Sequence, residues 1–283
     1  MKIILSRKGF DSTAGGFASP VFPDGTLFSI PIPSKSDKFT YSNLNFKCEN
    51  DSISKILNDL TSKKIHSGKW RECDYGGSKF HCHYDPMPYS SEDFTGIAFG
   101  QYGRTESHLR KQGIKKGDIF LFYGWFRKVK KVDNRWQYTS DALDIHLIWS
   151  YMEVGEILKI DTVEEKQKVL NIYPFLENHA HMYISENVQN SIYLSKKHRY
   201  FKYDEIRCLT DLKDYKGRAK WRLPNYFNHS EAFTFLKDLQ KDNNDVIISH
   251  RGYGQEFVLD LESNSITQKD KEDILKYISQ IIK

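Results

Sequence analysis

The 283-residue sequence predicts an α+β fold: a mixed, mainly antiparallel sheet with flanking helices, in a single domain. Three observations predict it. Segments of strand type outnumber those of helical type and do not alternate with them, which argues against a doubly wound sheet. Two strand segments, 118–132 and 135–139, meet at Asp133-Asn134, a pair suited to a tight hairpin. No repeat period and no low-complexity linker divides the chain.

In chain order, Lys2 to Ser6 is short and β-branched, a first strand. Arg7 to Gly25 reads as one long loop, punctuated by Gly9, Gly15, Gly16, Pro20, Pro23 and Gly25. Thr26 to Pro33 resumes as a strand. Ser52 to Ser62 is a helix, capped by Asp51 or Ser52, with Ile53, Ile56, Leu57 and Leu60 at helical spacing. Gly103 to Gln112 is a shorter helix that Gly113 stops. After the hairpin, 143–152 and 156–160 extend the sheet, and Val163 to Asn171 is an amphipathic helix. Segments 191–195, 205–209, 246–249 and 256–261 read as strands. Glu231 to Lys241 reads as a helix, from Phe233, Leu236 and Leu239. The final helix, 269–283, has Ile274, Leu275, Ile278, Ile281 and Ile282 on one face, so a helical C-terminal appendage from about residue 230 is expected.

Composition bounds the function classes. There are 42 Lys+Arg against 37 Asp+Glu, a net charge of +5, compatible with a polyanionic partner but far from a basic tail. The longest apolar stretch, 119–126, is far short of the roughly 20 residues that span a membrane. Ile3 to Leu5 is too short for a signal-peptide core. The four cysteines form no C-x-x-C and no paired framework. A cytoplasmic protein without membrane contact is expected.

Five segments are candidates for chemistry. The Arg7–Gly25 loop places Arg7, Lys8, Asp11, Ser19 and Asp24 on a glycine-rich backbone that can approach an anion, without any nucleotide fingerprint. In His81-Cys82-His83-Tyr84-Asp85, a strand would project His81, His83 and Asp85 to one face, a set able to ligate a divalent metal or move protons. His179-Ala180-His181 repeats the H-x-H spacing. Gly100-Gln101 opens a helix bearing His108; Gln101 offers an amide edge and His108 an acid/base group. In the aromatic strand, Trp125 beside Arg127 is a ring platform with a cation, while most of that strand's rings read as core. Trp221, with Gln255 and Glu256 after a glycine turn, completes the set.

These segments, in this order, resemble the nucleotide modification associated domain 3 family. The resemblance runs from Ile3-Ile4-Leu5-Ser6-Arg7-Lys8-Gly9-Phe10-Asp11 on to Ser19-Pro20-Val21-Phe22-Pro23-Asp24-Gly25. It continues through Gly100-Gln101, Ser107-His108-Leu109, Gly117 to Phe122 and Gly124 to Arg127, and ends in Trp221-Arg222-Leu223-Pro224 and Gly254 to Val258. It implies DNA base hypermodification of the kind found in phages and bacteria, with a nucleotide or DNA base as partner and other base-modification proteins alongside. It implies no particular reaction or cofactor. On the residues themselves, Asp11, Asp24, His83, His108 and Glu256 are expected as catalytic groups. Arg7, Lys8, Ser19, Gln101, Trp125, Arg127, Trp221 and Gln255 are expected to hold substrate, with His81, His83 and Asp85 as metal candidates. The alternative expectation is a non-catalytic module that binds a nucleotide or modified DNA in phage–host conflict.

Overall fold

A sheet of nine strands organises the computed structural model, which describes residues 1–35, 37–92, 94–236, 239–249 and 256–283. In chain order the strands are β1 (Lys2–Arg7), β2 (Ser19–Val21), β3 (Met87–Ser90), β4 (Thr95–Tyr102), β5 (Ile119–Val132), β6 (Arg135–Tyr138), β7 (Ile145–Lys159), β8 (Asn190–Tyr200) and β9 (Phe257–Asp260). Across the sheet they run β3-β4-β8-β7-β5-β1-β9, with β2 and β6 also pairing with β5. β1 and β2 lie parallel to β5, and the remaining pairs are antiparallel. With helices α1 (Ile53–Thr61), α2 (Gly103–Lys111), α3 (Val163–Ile172) and α4 (Gln268–Ile281), this is the expected α+β class.

The aromatic strand β5 is the middle of the core because both its faces are covered. Phe120, Phe122 and Phe126 pack with Phe99, Leu109 of α2, Leu147, Trp149 and Tyr193. Leu121 and Tyr123 face the other way, onto Trp221, Phe257 and the Ile274, Ile278 and Ile281 face of α4. A strand buried on two sides carries large apolar groups at successive positions, as this one does. The hairpin from β5 to β6 turns at Asp133 (φ 48°) and Asn134 (φ 61°). Two successive positive φ values are what a two-residue turn matched to strand twist requires.

Local signals also set the helices. Ser52 accepts from the Lys55 N–H to start α1, and Thr162 and Glu165 form a capping box on α3. Glu106 of α2 is fully buried, accepting from Ser191 Oγ (2.6 Å), Arg110 Nε (2.8 Å) and Tyr193 OH (2.8 Å). Arg110 then makes a two-pronged bond to Asp161, 2.7 Å on each arm. This network locks α2 onto β8 beside the end of β4.

Several expectations are corrected. The loop 7–25 contains a short strand, Ala14–Gly15, that pairs with His66 and Ser67, as well as β2, which pairs with the far end of the long β5. In 26–33 only Thr26 and Leu27 make single bridges before the strand Ile32–Ser34 pairs with His81–His83. The two segments around 143–160 are one strand, β7, with register shifts near Val154, whose N–H and carbonyl are taken by Asp118 and Gly117. Segment 205–209 turns as a 3₁₀ helix, Glu205–Arg207, since the Asp204 side chain caps the Ile206 N–H. Described residues of 231–241 are not helical, and the α-helix among the described residues after 230 is α4. Phe233 bridges to Leu259, Thr234 N–H bonds the Val258 carbonyl, and Leu239–Asp242 is a strand beside Asp245–Ser249. The apolar residues at helical spacing reach the core instead through a turn with Phe235 at φ 64°. No helix among the described residues is long and apolar enough to cross a membrane.

Candidate functional site

Where β1 ends, the chain crosses β5. The Lys8 N–H bonds the Tyr123 carbonyl at 2.8 Å, and a Cβ on Gly124 would lie 2.6 Å from the Lys8 carbonyl oxygen. Glycine at 124 therefore permits the crossing that sets Arg7 and Lys8 at one rim. Asp11 folds the following turn: its carboxylate accepts from the Thr13 and Ala14 N–H groups and the Thr13 hydroxyl, all at 2.7 Å, and stands 3.3 Å from Arg7. Burial opposes its charge, but these bonds and Arg7 outweigh burial and hold its pKa below the usual value.

Lys8 points across the sheet. Its ammonium lies 4.3 Å from the centre of the Phe99 ring and 3.5 Å from Glu256 Oε1, which also accepts from the Gln101 amide. Glu256 is 3% exposed because it sits just before β9, opposite Ser6 of β1. Its Oε2 has no hydrogen-bond partner among the described residues. Burial raises its pKa, with Lys8 and Ser6 pulling the other way. A buried carboxylate that keeps its proton more readily than usual is suited to proton transfer.

Beside this rim, three imidazoles surround Asp85. His83 ends the strand His81–His83, Asp85 follows it, and His179 and His181 come from the segment before β8. Asp85 Oδ1 accepts from the Gly100 N–H at 2.8 Å and stands 3.4 Å from His179 Nε2. Its Oδ2 is 3.9 Å from His83 Nε2 and 3.8 Å from His181 Nε2. The outer nitrogens are tied: His83 Nδ1 to Asp37 Oδ2 at 2.7 Å, His181 Nδ1 to Asn190 Oδ1 at 2.8 Å. The Asn190 amide nitrogen donates to the His181 carbonyl, which leaves its oxygen for the ring and makes His181 Nδ1 the donor. His179 has the reverse polarity. Its Nδ1 accepts the His181 N–H, so its Nε2 carries the proton toward Asp85.

The charges follow from these contacts. Burial works against an imidazolium at His83, but the Asp37 hydrogen bond and the charges of Asp85 and Asp37 outweigh it and raise its pKa. Burial brings His181 down to about 3 against the pull of Asp85, so that ring is neutral near neutral pH. Burial also opposes the Asp85 charge, yet the His179 hydrogen bond and the neighbouring imidazoles keep its pKa well below normal.

The cleft between these groups, about 200 Å³, is lined by Arg7, Lys8, Asp11, His83, Asp85, Gln101, Tyr102 and His181, among others. It suits a small group such as a base, a phosphate or an organic acid. A second, aromatic cavity of about 380 Å³ shares Asp85 and Gly9 with it and is walled by Phe28, Phe46, Tyr84, Trp149 and Tyr200.

The sequence candidates divide. Arg7, Lys8, Asp11, Gln101, His83 and Asp85 line the one cleft, and Glu256 bonds two of them. His108 lies in a neighbouring cleft that Glu256 also lines, its ring 4.6 Å from that of Phe235 and its pKa lowered by burial. His81 pairs with Ser34 and is not in the cluster, because the strand ends at His83 and the face it shares with Asp85 goes no further. Asp24 is exposed, bonded to Thr26 and Lys202. Ser19 is buried and accepts from the Ile30 N–H at 3.1 Å. Trp221 is fully buried in the core, its indole N–H on His146 at 2.9 Å. Trp125 bonds Asp144 and carries the Arg218 guanidinium on its ring at 4.0 Å. Arg127 donates to the Thr139 carbonyl and lies over Tyr138. Gln255 lies outside the described residues.

His181 was visible in sequence only as the second H-x-H. Asp37 and Asn190, which orient the two imidazoles, left no signal of their own. Gly100 sets bare backbone against the His181 ring, where a Cβ would stand 2.2 Å from Cδ2.

The family model described as nucleotide modification associated domain 3 matches residues 2–260. No curated protein and no solved structure matches the chain.

Proposed function

The chain belongs to the nucleotide modification associated domain 3 family, and on that premise we propose that it binds a nucleotide or DNA base in the Arg7–Lys8 cleft and modifies it there. The observation that carries the reading is the meeting of two kinds of group in one small cleft. Arg7 and Lys8 offer cations to a phosphate, and Gln101 and Tyr102 offer an amide edge and a ring to a base. A few ångströms away the His83–Asp85–His181 cluster holds one neutral and one readily charged imidazole around a carboxylate, a set able to move protons. The cleft is too small to hold paired bases, so a target in DNA would enter as a single flipped nucleotide.

The test is the nucleoside content of DNA and of the free nucleotide pool, read by mass spectrometry in cells producing the chain. A modified nucleoside should accompany the wild type and disappear with Asp85→Asn. An unchanged profile in the wild type and in Asp85→Asn overturns the catalytic reading. Nucleotide binding that survives His83→Ala but is lost with Arg7→Ala would then mark a binding module.

A further inference from the structure

We propose that His83, Asp85 and His181 bind one divalent first-row transition ion through His83 Nε2, Asp85 Oδ2 and His181 Nε2. This goes beyond the nucleotide reading and depends on none of it. The three donor atoms lie within 4.8 Å of one another, at 3.8 and 3.9 Å for the two nitrogen–oxygen pairs. Bonds of about 2.0–2.2 Å to a shared ion place neighbouring donors roughly 3–3.5 Å apart, so the two nitrogen–oxygen pairs close by about half an ångström on binding.

Three features aim these atoms at a common point. Both imidazoles have Nδ1 engaged, on the Asp37 carboxylate and on the Asn190 amide oxygen, which presents Nε2 inward. A carboxylate or amide behind a ligating histidine is the usual means of fixing its ring and raising its basicity. The Gly100 N–H takes Asp85 Oδ1 and leaves Oδ2 for the ion. Asp85 is also a buried carboxylate, its side chain 2% exposed, that has no Lys or Arg partner among the described residues; its ion-pair contacts are imidazoles at 3.4–3.9 Å. A buried anion needs a cation, and a divalent ion supplies it.

The donor set selects the ion class. Two nitrogens and one carboxylate oxygen are too few oxygens for calcium or magnesium, and the adjacent Cys82 is turned away into the core around α1, so no thiolate joins. Two histidines and a carboxylate, with open positions toward Arg7, Lys8 and Gln101, suit Fe(II), Mn(II), Co(II) or Zn(II).

Cobalt(II) alone, titrated into the chelator-treated full chain, tests this by visible absorption and calorimetry. One ion per chain is expected. Asp85→Asn and His181→Gln should each weaken binding more than 100-fold, and Asp37→Asn about 10- to 100-fold. His81→Ala should bind as the wild type. Circular dichroism identifies variants that remain folded. Absence of stoichiometric binding by the wild type overturns the proposal, as does unchanged affinity in folded Asp85→Asn or His181→Gln. Thermal shift of the metal-free chain with nucleoside monophosphates runs alongside, so loss of the metal site and loss of the nucleotide reading give different results.

Discussion

The imidazole of His181 rests on the backbone of Gly100: a Cβ at position 100 would stand 2.2 Å from His181 Cδ2 and 2.6 Å from its Nε2. The same residue gives its N–H to Asp85. One glycine of β4 thus positions a histidine and the carboxylate it faces.

Gly100→Ala should therefore act on the site first. The added methyl must push the His181 ring away, since the strand backbone is held by its pairing with β8. Overpacking of this kind costs about 1–3 kcal/mol of stability. We expect that loss in urea denaturation, together with at least a tenfold loss of cobalt(II) affinity. Affinity equal to the wild type would show that His181 is not a ligand.

Arg110→Ala leaves Glu106 buried without its cation. Breaking a buried pair from one side costs about 3–5 kcal/mol. The pKa of Glu106 is already raised by burial, against Ser191, Arg110 and Tyr193, and rises further without Arg110. A carboxylate with a folded pKa above its unfolded value favours folding most at low pH. The penalty in Arg110→Ala should accordingly shrink as pH falls from 7 to 5, which chemical denaturation at the two pH values measures.

Asp51 predicts the opposite sign. A hydrogen bond from Lys131 does most to bring its pKa down to about 2; burial opposes this, and Trp136 Nε1 and Lys55 assist. Its contribution is present above the unfolded value near 4 and is lost as pH falls from about 5 to 2. Solvent access to this cluster limits the contribution to about 1 kcal/mol. Asp51→Asn should be less stable than the wild type at pH 7 and nearly equal to it at pH 2. A constant difference across that range would exclude the linkage.

Ligand binding should separate Arg7 from Asp24, although both come from the same glycine-rich segment. Arg7 lines the cleft, and loss of one charge-assisted contact to phosphate costs about 1.5–3 kcal/mol. Arg7→Ala should weaken nucleoside monophosphate binding at least tenfold by calorimetry. Among the described residues Asp24 bonds Thr26 and Lys202 alone, at the surface, so Asp24→Ala should bind within twofold of the wild type. The reverse pattern would move the phosphate site away from the cleft.

What could be seen in sequence was whatever is settled by short-range chemistry. The Ser52 cap, the positive-φ pair Asp133-Asn134 and the apolar stripe of α4 each depend on residues a few positions apart. The same holds for His83 with Asp85, two positions apart, and for Arg7 with Lys8. These local terms suffice for the α+β class and for two of the three cluster residues. Helical spacing misled at 231–241 because the same apolar residues reach the core from a turned chain, and backbone pairing with Val258 and Leu259 outweighs helical propensity there.

Tertiary structure alone decided which distant groups meet. The pairing of β4 with β8 brings Gly100 and Asn190 to one end of the sheet, and with them His181 to Asp85. Asp37 reaches His83 only because the strand Ile32–Ser34 pairs with His81–His83. The same packing took Trp221 into the core. Sheet register is set by the burial of whole faces, a sum over many residues, so it leaves no mark at the positions whose side chains it brings together.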